Sequence, residues 1–243
     1  MNKKIRIGAV SYLNTKPLLF GFNKNDWNII EDYPAKIAQM LMNDEIDVGL
    51  VPVAIIPKMK EYHIISDYCI GATERVESVA IFSEVEMDKI ETVILDYQSR
   101  TSVNLAKVLL KHYWKKEIIF EEATPDFRNN IKGTTAAVVI GDRALEQIKL
   151  STYQYDLAEA WIMFTGRPFV FAAWVANKPL DKDFVTAFNE ANGYGLSHLE
   201  EVIKENQFPH FSLKTYYTKC ISYNLTEEKK EGLQLFLSYL TEK

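Results

Sequence analysis

Residues 5–22 read IRIGAVSYLNTKPLLFGF and form one complete unit of an α/β pattern. The apolar stretch Ile5–Val10 predicts a strand, the polar stretch Ser11–Lys16 a loop, and Pro17–Phe22 a short helix. Proline suits the first helical turn, because the N–H that it lacks would have no partner there. The unit therefore places hydroxyl and amide side chains where a strand ends and a helix begins.

The alternation of strands and helices continues along the chain. Further predicted strands are Trp27–Ile30, Asp47–Val53, Tyr62–Ile70, Val76–Ser83, Thr92–Leu95, Ile118–Phe120, Thr135–Ile140 and Phe169–Val175. Further predicted helices are Pro34–Met42, Ser99–Trp114, Ala144–Ile148, Lys182–Ala191, Leu196–Glu205 and Thr226–Leu240. Gly193 and Gly195 are expected to form a turn between two of these helices, since glycine favours turns over continuous helix. This order of elements predicts an α/β protein with a mainly parallel sheet.

Two cycles of this pattern, followed by a returning strand, predict two lobes joined by two crossings, near Ile81–Val85 and near Pro168–Phe171. The first lobe then comprises residues 1–82 and 173–243, and the second comprises residues 83–172. A cleft between two lobes is the expected ligand site. Ligands of such sheets bind beyond the carboxyl ends of strands, so the polar loops after strands are the segments of interest.

The composition excludes several classes of protein. Of the 243 residues, 47% are apolar, which is enough for a packed core. The formal net charge of −5 argues against nucleic acid as a partner. Cys69 and Cys220 lie far apart and outside any Cys-x-x-Cys motif, so neither a disulfide scaffold nor a thiolate zinc site is indicated.

No stretch of the chain has the apolar character of a targeting or membrane segment. Arg6, Asn14 and Lys16 interrupt the apolar residues near the N-terminus, so the core of a signal peptide does not form. No later stretch reaches the roughly 18 to 20 apolar residues of a membrane-spanning helix. We therefore expect a cytoplasmic protein without membrane contact.

Two polar loops follow predicted strands and precede predicted helices. In the first loop, Ser11 and Asn14 bind an anion or polar group, or else Asn14 or Thr15 merely caps the helix. In the second loop, Asp96–Ser102, three hydroxyl groups and Arg100 lie at a helix N-terminus, which suits a carboxylate better. The alternative for the second loop is a well-capped helix with a solvated arginine.

Two further positions place polar groups next to apolar strands. Gly141 and Asp142 follow the strand that ends at Ile140, and the carboxylate of Asp142 either faces the cleft or caps the next helix. Ser78 lies within the apolar stretch Val76–Ile81. It needs a polar partner if it is buried, supplied by the backbone or by a ligand.

The sequence lacks several well-known catalytic motifs. It contains neither the glycine-rich nucleotide-binding motifs nor the Gly-x-Ser-x-Gly motif of acyl transfer. The four histidines are scattered without the spacing of metal ligands: His63, His112, His198 and His210. We therefore expect no cofactor and no metal site, and the residues alone indicate a two-lobed binder of a small anion.

Seven segments, in order along most of the chain, resemble the chorismate dehydratase family of the futalosine route to menaquinone. They are SYLNTKPL (residues 11–18), DVGLVPV (47–53), VESV (76–79), LD with SRTS (95–102), IGDRAL (140–145), DLAEAW (156–161) and TGRPFVFAAW (165–174). An ordered set of matches is much more specific than any single one. Members of the family often carry a glycine before the VESV strand, where Glu74 and Arg75 stand here, so the loop at this point differs.

The resemblance implies a fold like that of the type II periplasmic binding proteins, with two strand crossings between the lobes. It implies a cytoplasmic enzyme that removes water from chorismate to give 3-[(1-carboxyvinyl)oxy]benzoate. Asn14 and Ser78 would be the catalytic pair, and the hydroxyls of Thr101 and Ser102 would hold a substrate carboxylate. The other expected substrate contacts are Ser11, Ser99, Gly141 and Asp142.

Two alternatives to this enzyme remain. A non-catalytic cytoplasmic binder or sensor of a small carboxylate could use the same scaffold, since a fold does not determine a function. The related naphthoate synthase of the same pathway has a different N-terminal loop and relies on a histidine, and none of the histidines here lies in a cleft-facing motif.

Overall fold

The computed structural model describes residues 5–23 and 26–241, and its strands form two sheets. The strands are β1 (Arg6–Val10), β2 (Asn28–Asp32), β3 (Val48–Pro52), β4 (His63–Ala72), β5 (Val79–Ser83), β6 (Thr92–Leu95), β7 (Ile119–Glu122), β8 (Thr135–Ile140), β9 (Tyr153–Asp156), β10 (Phe169–Ala176) and β11 (Ser222–Asn224). The helices are α1 (Lys16–Leu19), α2 (Pro34–Met42), α3 (Thr101–His112), α4 (Asp142–Gln147), α5 (Leu157–Thr165), α6 (Lys182–Ser197), α7 (Leu199–Glu205), α8 (Leu213–Thr215) and α9 (Glu227–Thr241). Short 3-10 turns follow β1 at Leu13–Thr15 and β3 at Val53–Lys58, and a π-helical turn spans Tyr216–Cys220.

Each sheet is the centre of one lobe. The six-stranded sheet has the order β11-β4-β10-β3-β1-β2, and the five-stranded sheet has the order β7-β6-β8-β5-β9. Strands β3, β5 and β10 are buried along their whole length, as apolar strands covered on both faces should be. The α/β prediction is confirmed.

The sheets are mixed, so the prediction of a mainly parallel sheet is wrong. Strand β10 is antiparallel to both β3 and β4, and strand β5 is antiparallel to both β8 and β9. Both are strands that the chain enters after crossing from the other lobe. Antiparallel neighbours need no right-handed helical crossover between them, so a strand that comes from the other lobe can run against the strands beside it.

Sheet membership also shows where the chain crosses between the lobes. Strand β5 pairs only within the five-stranded sheet, and strand β10 pairs only within the six-stranded sheet, among the described residues. The boundaries predicted at residues 82 and 172 fall inside these two strands. Because both strands consist almost entirely of apolar residues, their sequences do not indicate the sheet to which each one belongs.

The largest difference in secondary structure concerns the glycines of α6. This helix runs without a break from Lys182 to Ser197, so the predicted turn at Gly193 and Gly195 is wrong. A Cβ atom on Gly195 would lie 1.9 Å from the carbonyl oxygen of Pro17. The glycine therefore permits the close approach of α6 to α1 instead of ending the helix.

Strand β9 and helix α5 were not predicted from the sequence. Asp156 joins them, because its carboxylate accepts the N–H groups of Ala158 and Glu159 and so caps α5. The hydroxyl of Thr226 accepts the N–H of Lys229 at 3.4 Å and so caps α9. In the part of the chain that the structure describes, no helix combines the length and apolar character needed to cross a membrane.

Candidate active site

A cleft of about 440 Å³, including the part that opens to solvent, lies between the two lobes. Its lining combines apolar side chains with a few hydroxyl and amide groups, and none of the lining residues is charged. The lining residues are Val10, Tyr12, Asn14, Pro34, Pro52, Ile70, Val79, Ser99, Thr101, Ser102, Ile140, Gly141, Phe171 and Ala172. Most of them lie at strand ends or helix starts, where an α/β sheet places its ligand.

The N-terminus of α3 forms one side of the cleft. Ser99 lies just before the N-cap residue of this helix, and its Oγ accepts the N–H of Ser102 at 3.0 Å. The Oγ of Thr101 accepts the N–H of Ala54 at 3.2 Å and so joins α3 to the turn after β3 in the other lobe. Among the described residues, the hydroxyl of Ser102 and the N–H groups of Thr101 and Val103 find no protein acceptor. These neutral donors at the positive end of a helix suit a carboxylate.

Asn14 lies on the other side of the cleft, in the 3-10 turn after β1. Neither its side chain nor that of Thr15 makes a capping hydrogen bond to this turn or to α1, so the capping alternative does not hold. Its carbonyl oxygen accepts the hydroxyl of Tyr223 at 3.0 Å, and its Oδ1 accepts the hydroxyl of Thr15 at 3.2 Å. The amide N–H groups have no acceptor in the described part of the chain and are available to a ligand.

Ser78 lies in a tight turn before β5. Glu77 has a φ of +62°, and the N–H of Ser78 donates to the carbonyl of Val76 at 2.7 Å. A non-glycine residue in this conformation is strained and has to be held by its surroundings. The Oδ2 of Asp156 accepts the N–H of Glu77 at 2.7 Å, and the guanidinium of Arg75 pairs with the carboxylate of Glu77 at 3.1 Å. Arg75 therefore helps to hold the turn.

The partner of the Ser78 hydroxyl is a side chain, which the sequence did not indicate. The hydroxyl of Tyr216 donates to the Oγ of Ser78 at 2.7 Å, and both residues are buried. Ser78 is therefore buried next to Val79, which lines the cleft. The buried serine is satisfied by the C-terminal part of the chain.

Gly141 and Asp142 bring the second lobe against the loop after β1. A Cβ atom on Gly141, whose φ is +63°, would lie 2.8 Å from the ring of Tyr12, so glycine permits the ring to lie against the backbone. The Oδ1 of Asp142 accepts the N–H of Leu13 at 3.1 Å and does not cap α4. Burial raises the pKa of Asp142 to about 6. Asp142 therefore links the lobes and does not itself line the cleft.

A buried ion pair shapes the loop after β6. The Nη2 of Arg143 donates to both oxygens of Asp96, at 2.9 and 2.7 Å, and to the Oε1 of Gln98 at 2.8 Å. The hydroxyl of Tyr12 donates to the same Oε1. The side chain of Asp96 is fully buried, so its negative charge depends on Arg143 for compensation. This network connects both polar loops of the cleft.

The structure brings most of the predicted site residues together. Those that line the cleft are Asn14, Ser99, Thr101, Ser102 and Gly141. Ser78 and Asp142 are not among the lining residues, but their chain neighbours Val79 and Gly141 are. Ser11 is exposed and lies outside the cleft, because its N–H is tied to the carbonyl of Asp32 before the chain turns inward.

Sequence reasoning missed the aromatic residues of the site. Tyr12 lines the cleft, and Tyr216 and Tyr223 contact Ser78 and Asn14 from the C-terminal segment. The adjacent pair Tyr216-Tyr217 stands out in the sequence, but no spacing rule relates it to residue 78. Within residues 5–23 and 26–241, no histidine lines the cleft and no cluster of three potential metal ligands forms.

Two mixed sheets, two crossings and a ligand cleft between them define a two-lobed α/β protein with the fold of the periplasmic binding proteins. The fold is similar to that of protein AF1704 of Archaeoglobus fulgidus, with a TM-score of 0.77, 11% identity, and coverage of 98% of this chain and 97% of that one. It is also similar to the Candida albicans CA3427 product, described as having the generic periplasmic binding protein fold, at a TM-score of 0.68, 12% identity, and 99% and 92% coverage. At such identities these likenesses show the fold alone, and they confirm the fold predicted from the sequence.

The sequence comparisons go further than the fold. The family model for menaquinone biosynthesis matches residues 5–242, so the chain belongs to the menaquinone biosynthesis family. The chain is 26% identical to the chorismate dehydratase of Thermus thermophilus, over 96% of this chain and 94% of that protein. The predicted family resemblance is confirmed.

Proposed function

We propose that the protein is a chorismate dehydratase, which removes water from chorismate to give 3-[(1-carboxyvinyl)oxy]benzoate. The observation that carries the proposal is the composition of the cleft, in which the neutral donors of α3 and the amide of Asn14 border an apolar space. Membership of the menaquinone biosynthesis family and the similarity to the Thermus thermophilus enzyme support the same reaction.

The cleft suits a small, partly apolar dicarboxylate. Chorismate carries one carboxylate on an unsaturated ring and a second on its enolpyruvyl side chain, and no cationic side chain lines the cleft to meet them. The Ser102 hydroxyl and the N–H groups of Thr101 and Val103 would bind one carboxylate at the positive end of α3. Ile70 and Phe171 would pack against the ring.

The reaction needs mainly orientation and charge stabilisation. The C–H bond at the ether-bearing ring carbon and the C–O bond of the adjacent hydroxyl break, a ring double bond forms, and the proton and hydroxide leave as water. Because the product ring is aromatic, the elimination has a large thermodynamic drive, and positioned donors can supply several kcal/mol. Asn14 and Ser78 would donate hydrogen bonds to the reacting groups.

The base in this proposal is the enolpyruvyl carboxylate of chorismate itself. Neither Asn14 nor Ser78 is a general base, and the carboxylate of Asp142 is engaged with the N–H of Leu13 at 3.1 Å. Loss of turnover on replacing Asp142, with substrate affinity intact, would favour a protein base over the internal one.

Incubation of the purified protein with chorismate tests the proposal. We expect a product whose mass is lower by one water and whose ultraviolet absorbance is that of a substituted benzoate. Binding of chorismate without loss of water would instead indicate the non-catalytic carboxylate binder.

A further inference from the structure

Tyr216 and Tyr217 are adjacent, equally buried tyrosines in different chemical situations. Both lie in the π-helical turn, with 0% and 2% of their surfaces exposed. The hydroxyl of Tyr216 donates to the Oγ of Ser78 at 2.7 Å. The hydroxyl of Tyr217 has no hydrogen-bond partner among the described residues. The pair therefore contains one tyrosine joined to the proposed site and one matched tyrosine that is not.

The backbone of Ser78 is held on both sides of its side chain. Its N–H donates to the carbonyl of Val76 at 2.7 Å, and its carbonyl oxygen accepts the N–H of Gly141 at 2.8 Å. Gly141 lines the cleft, so the second bond ties Ser78 to the cleft wall. With the backbone fixed, rotation of the hydroxyl is the freedom that remains.

The hydrogen bond from Tyr216 restricts that rotation. A serine hydroxyl has one proton to donate and two lone pairs that accept. The phenol of Tyr216 has no acceptor other than Ser78 among the described residues, and burial raises its pKa well above the ordinary value, so it stays protonated. Because the oxygen of Ser78 accepts the hydrogen bond from the phenol, the O–H of Ser78 can donate a hydrogen bond to a third group. The bond also polarises the serine hydroxyl and makes it a stronger donor.

We propose that Tyr216 is a positioning residue, which holds the Ser78 hydroxyl as a hydrogen-bond donor to the hydroxyl group that leaves the chorismate ring. This role rests on the proposed function. Tyr216 does not contact the substrate and acts through Ser78. Its effect is therefore confined to the step in which the C–O bond breaks.

Tyr216→Phe and Tyr217→Phe form a matched pair of variants. Each keeps a buried ring and removes one hydroxyl. We expect Tyr216→Phe to lower kcat about tenfold and to leave KM within about twofold, since the lost interaction is made in the transition state. Tyr217→Phe keeps the kcat and KM of the wild type. In a Ser78→Ala background, Tyr216→Phe causes no further loss of kcat, measured in single turnovers at high protein concentration.

Each kcat is normalised to the active fraction, obtained from the stoichiometry of product binding, so partial unfolding does not imitate the effect. A wild-type value for Tyr216→Phe overturns the positioning role. So does an additional loss in the Ser78→Ala background, because Tyr216 would then act on something other than Ser78. Absence of turnover in the wild-type protein overturns the proposed function, and with it the role of Tyr216.

Discussion

The polar loops that follow β1 and β6 have the same order of strand, loop and helix, but they contribute differently to the cleft. After β6, the hydroxyl residues Ser99, Thr101 and Ser102 all line it. After β1, Tyr12 and Asn14 line it, but the hydroxyl of Tyr12 already donates to Gln98, and Ser11 is exposed. The same sequence pattern therefore yields a row of donors in one lobe and a single amide in the other.

The difference comes from the turn that joins each loop to its helix. After β6, the Oδ1 of Asp96 accepts the N–H of Gln98 at 3.0 Å, and the chain passes directly into α3. The polar side chains of the first helical turn then converge on the cleft. After β1, the 3-10 turn Leu13–Thr15 comes first and turns Asn14 inward. The order of elements indicates where a polar loop lies, and the turn type determines which side chains point at the ligand.

The largest expected effect is on Asn14 and Ser78. We expect Asn14→Ala and Ser78→Ala each to lower kcat by about 100-fold or more, as removal of a donor to a reacting oxygen does elsewhere. Thermal stability should change little for Asn14→Ala, because the contact with Tyr223 is made by the backbone. Turnover is measured by mass, and wild-type turnover in either variant removes that residue from the site.

A smaller effect is expected at the start of α3. Ser102→Ala should weaken product binding roughly tenfold, because a charge-assisted hydrogen bond worth about 1.5 kcal/mol or more is lost. Thr101→Val should also lower the free energy of unfolding, by about 1 kcal/mol, since the N–H of Ala54 then loses its acceptor.

Calorimetry and denaturant titration on the same samples separate affinity from stability for these two variants. Lys111→Ala, at an exposed position of the same helix, is the matched control. If both variants bound product normally and only stability fell, the start of α3 would be a cap and not a carboxylate site.

Asp142 gives a prediction about pH. Its pKa is about 6 in the folded protein, above the ordinary value near 4. At a pH between these two values, Asp142 is still protonated in the folded state but has lost its proton in the unfolded state. The unfolding free energy of the wild type then falls as the pH rises from about 4 to about 6, and that of Asp142→Asn lacks this contribution. The variant should be more stable than the wild type by about 1–2 kcal/mol at pH 8. Denaturant curves at several pH values check this, and parallel profiles would contradict it.

The smallest effect is expected at Ser11. Because this residue is exposed and only its backbone N–H is engaged, Ser11→Ala should keep kcat and KM within about twofold of the wild type. A tenfold loss in this variant would show that the loops after β1 and β6 contribute alike, contrary to their geometry.

The sequence predicted the two lobes, most strands and the position of the cleft, because apolar strands and polar loops are local patterns. It did not predict the direction of β5 and β10. A strand that is buried on both faces is apolar on both faces, and such a sequence does not show whether the neighbouring strands run parallel or antiparallel to it. Gly195 was misread for a related reason. Its contact is with Pro17, far away along the chain, and local sequence favours a turn at that position.

The same distinction holds within the site. The site residues at the start of α3 could be predicted from the sequence because they lie next to each other in the chain, in one helical turn. Tyr216 was missed because the contact with Ser78 joins residues 138 positions apart. The left-handed turn at Glu77 is held by Arg75 and Asp156, and the contact with Asp156 is likewise far along the chain.

The most direct test of the account is a time course of chorismate with the wild-type protein and Asn14→Ala in parallel, followed by mass spectrometry. We expect the wild type to convert chorismate to 3-[(1-carboxyvinyl)oxy]benzoate with the loss of one water, and the variant to leave chorismate almost unchanged over the same period. Unchanged chorismate in both samples, or equal conversion in both, would contradict the assignment of the cleft as a dehydratase site.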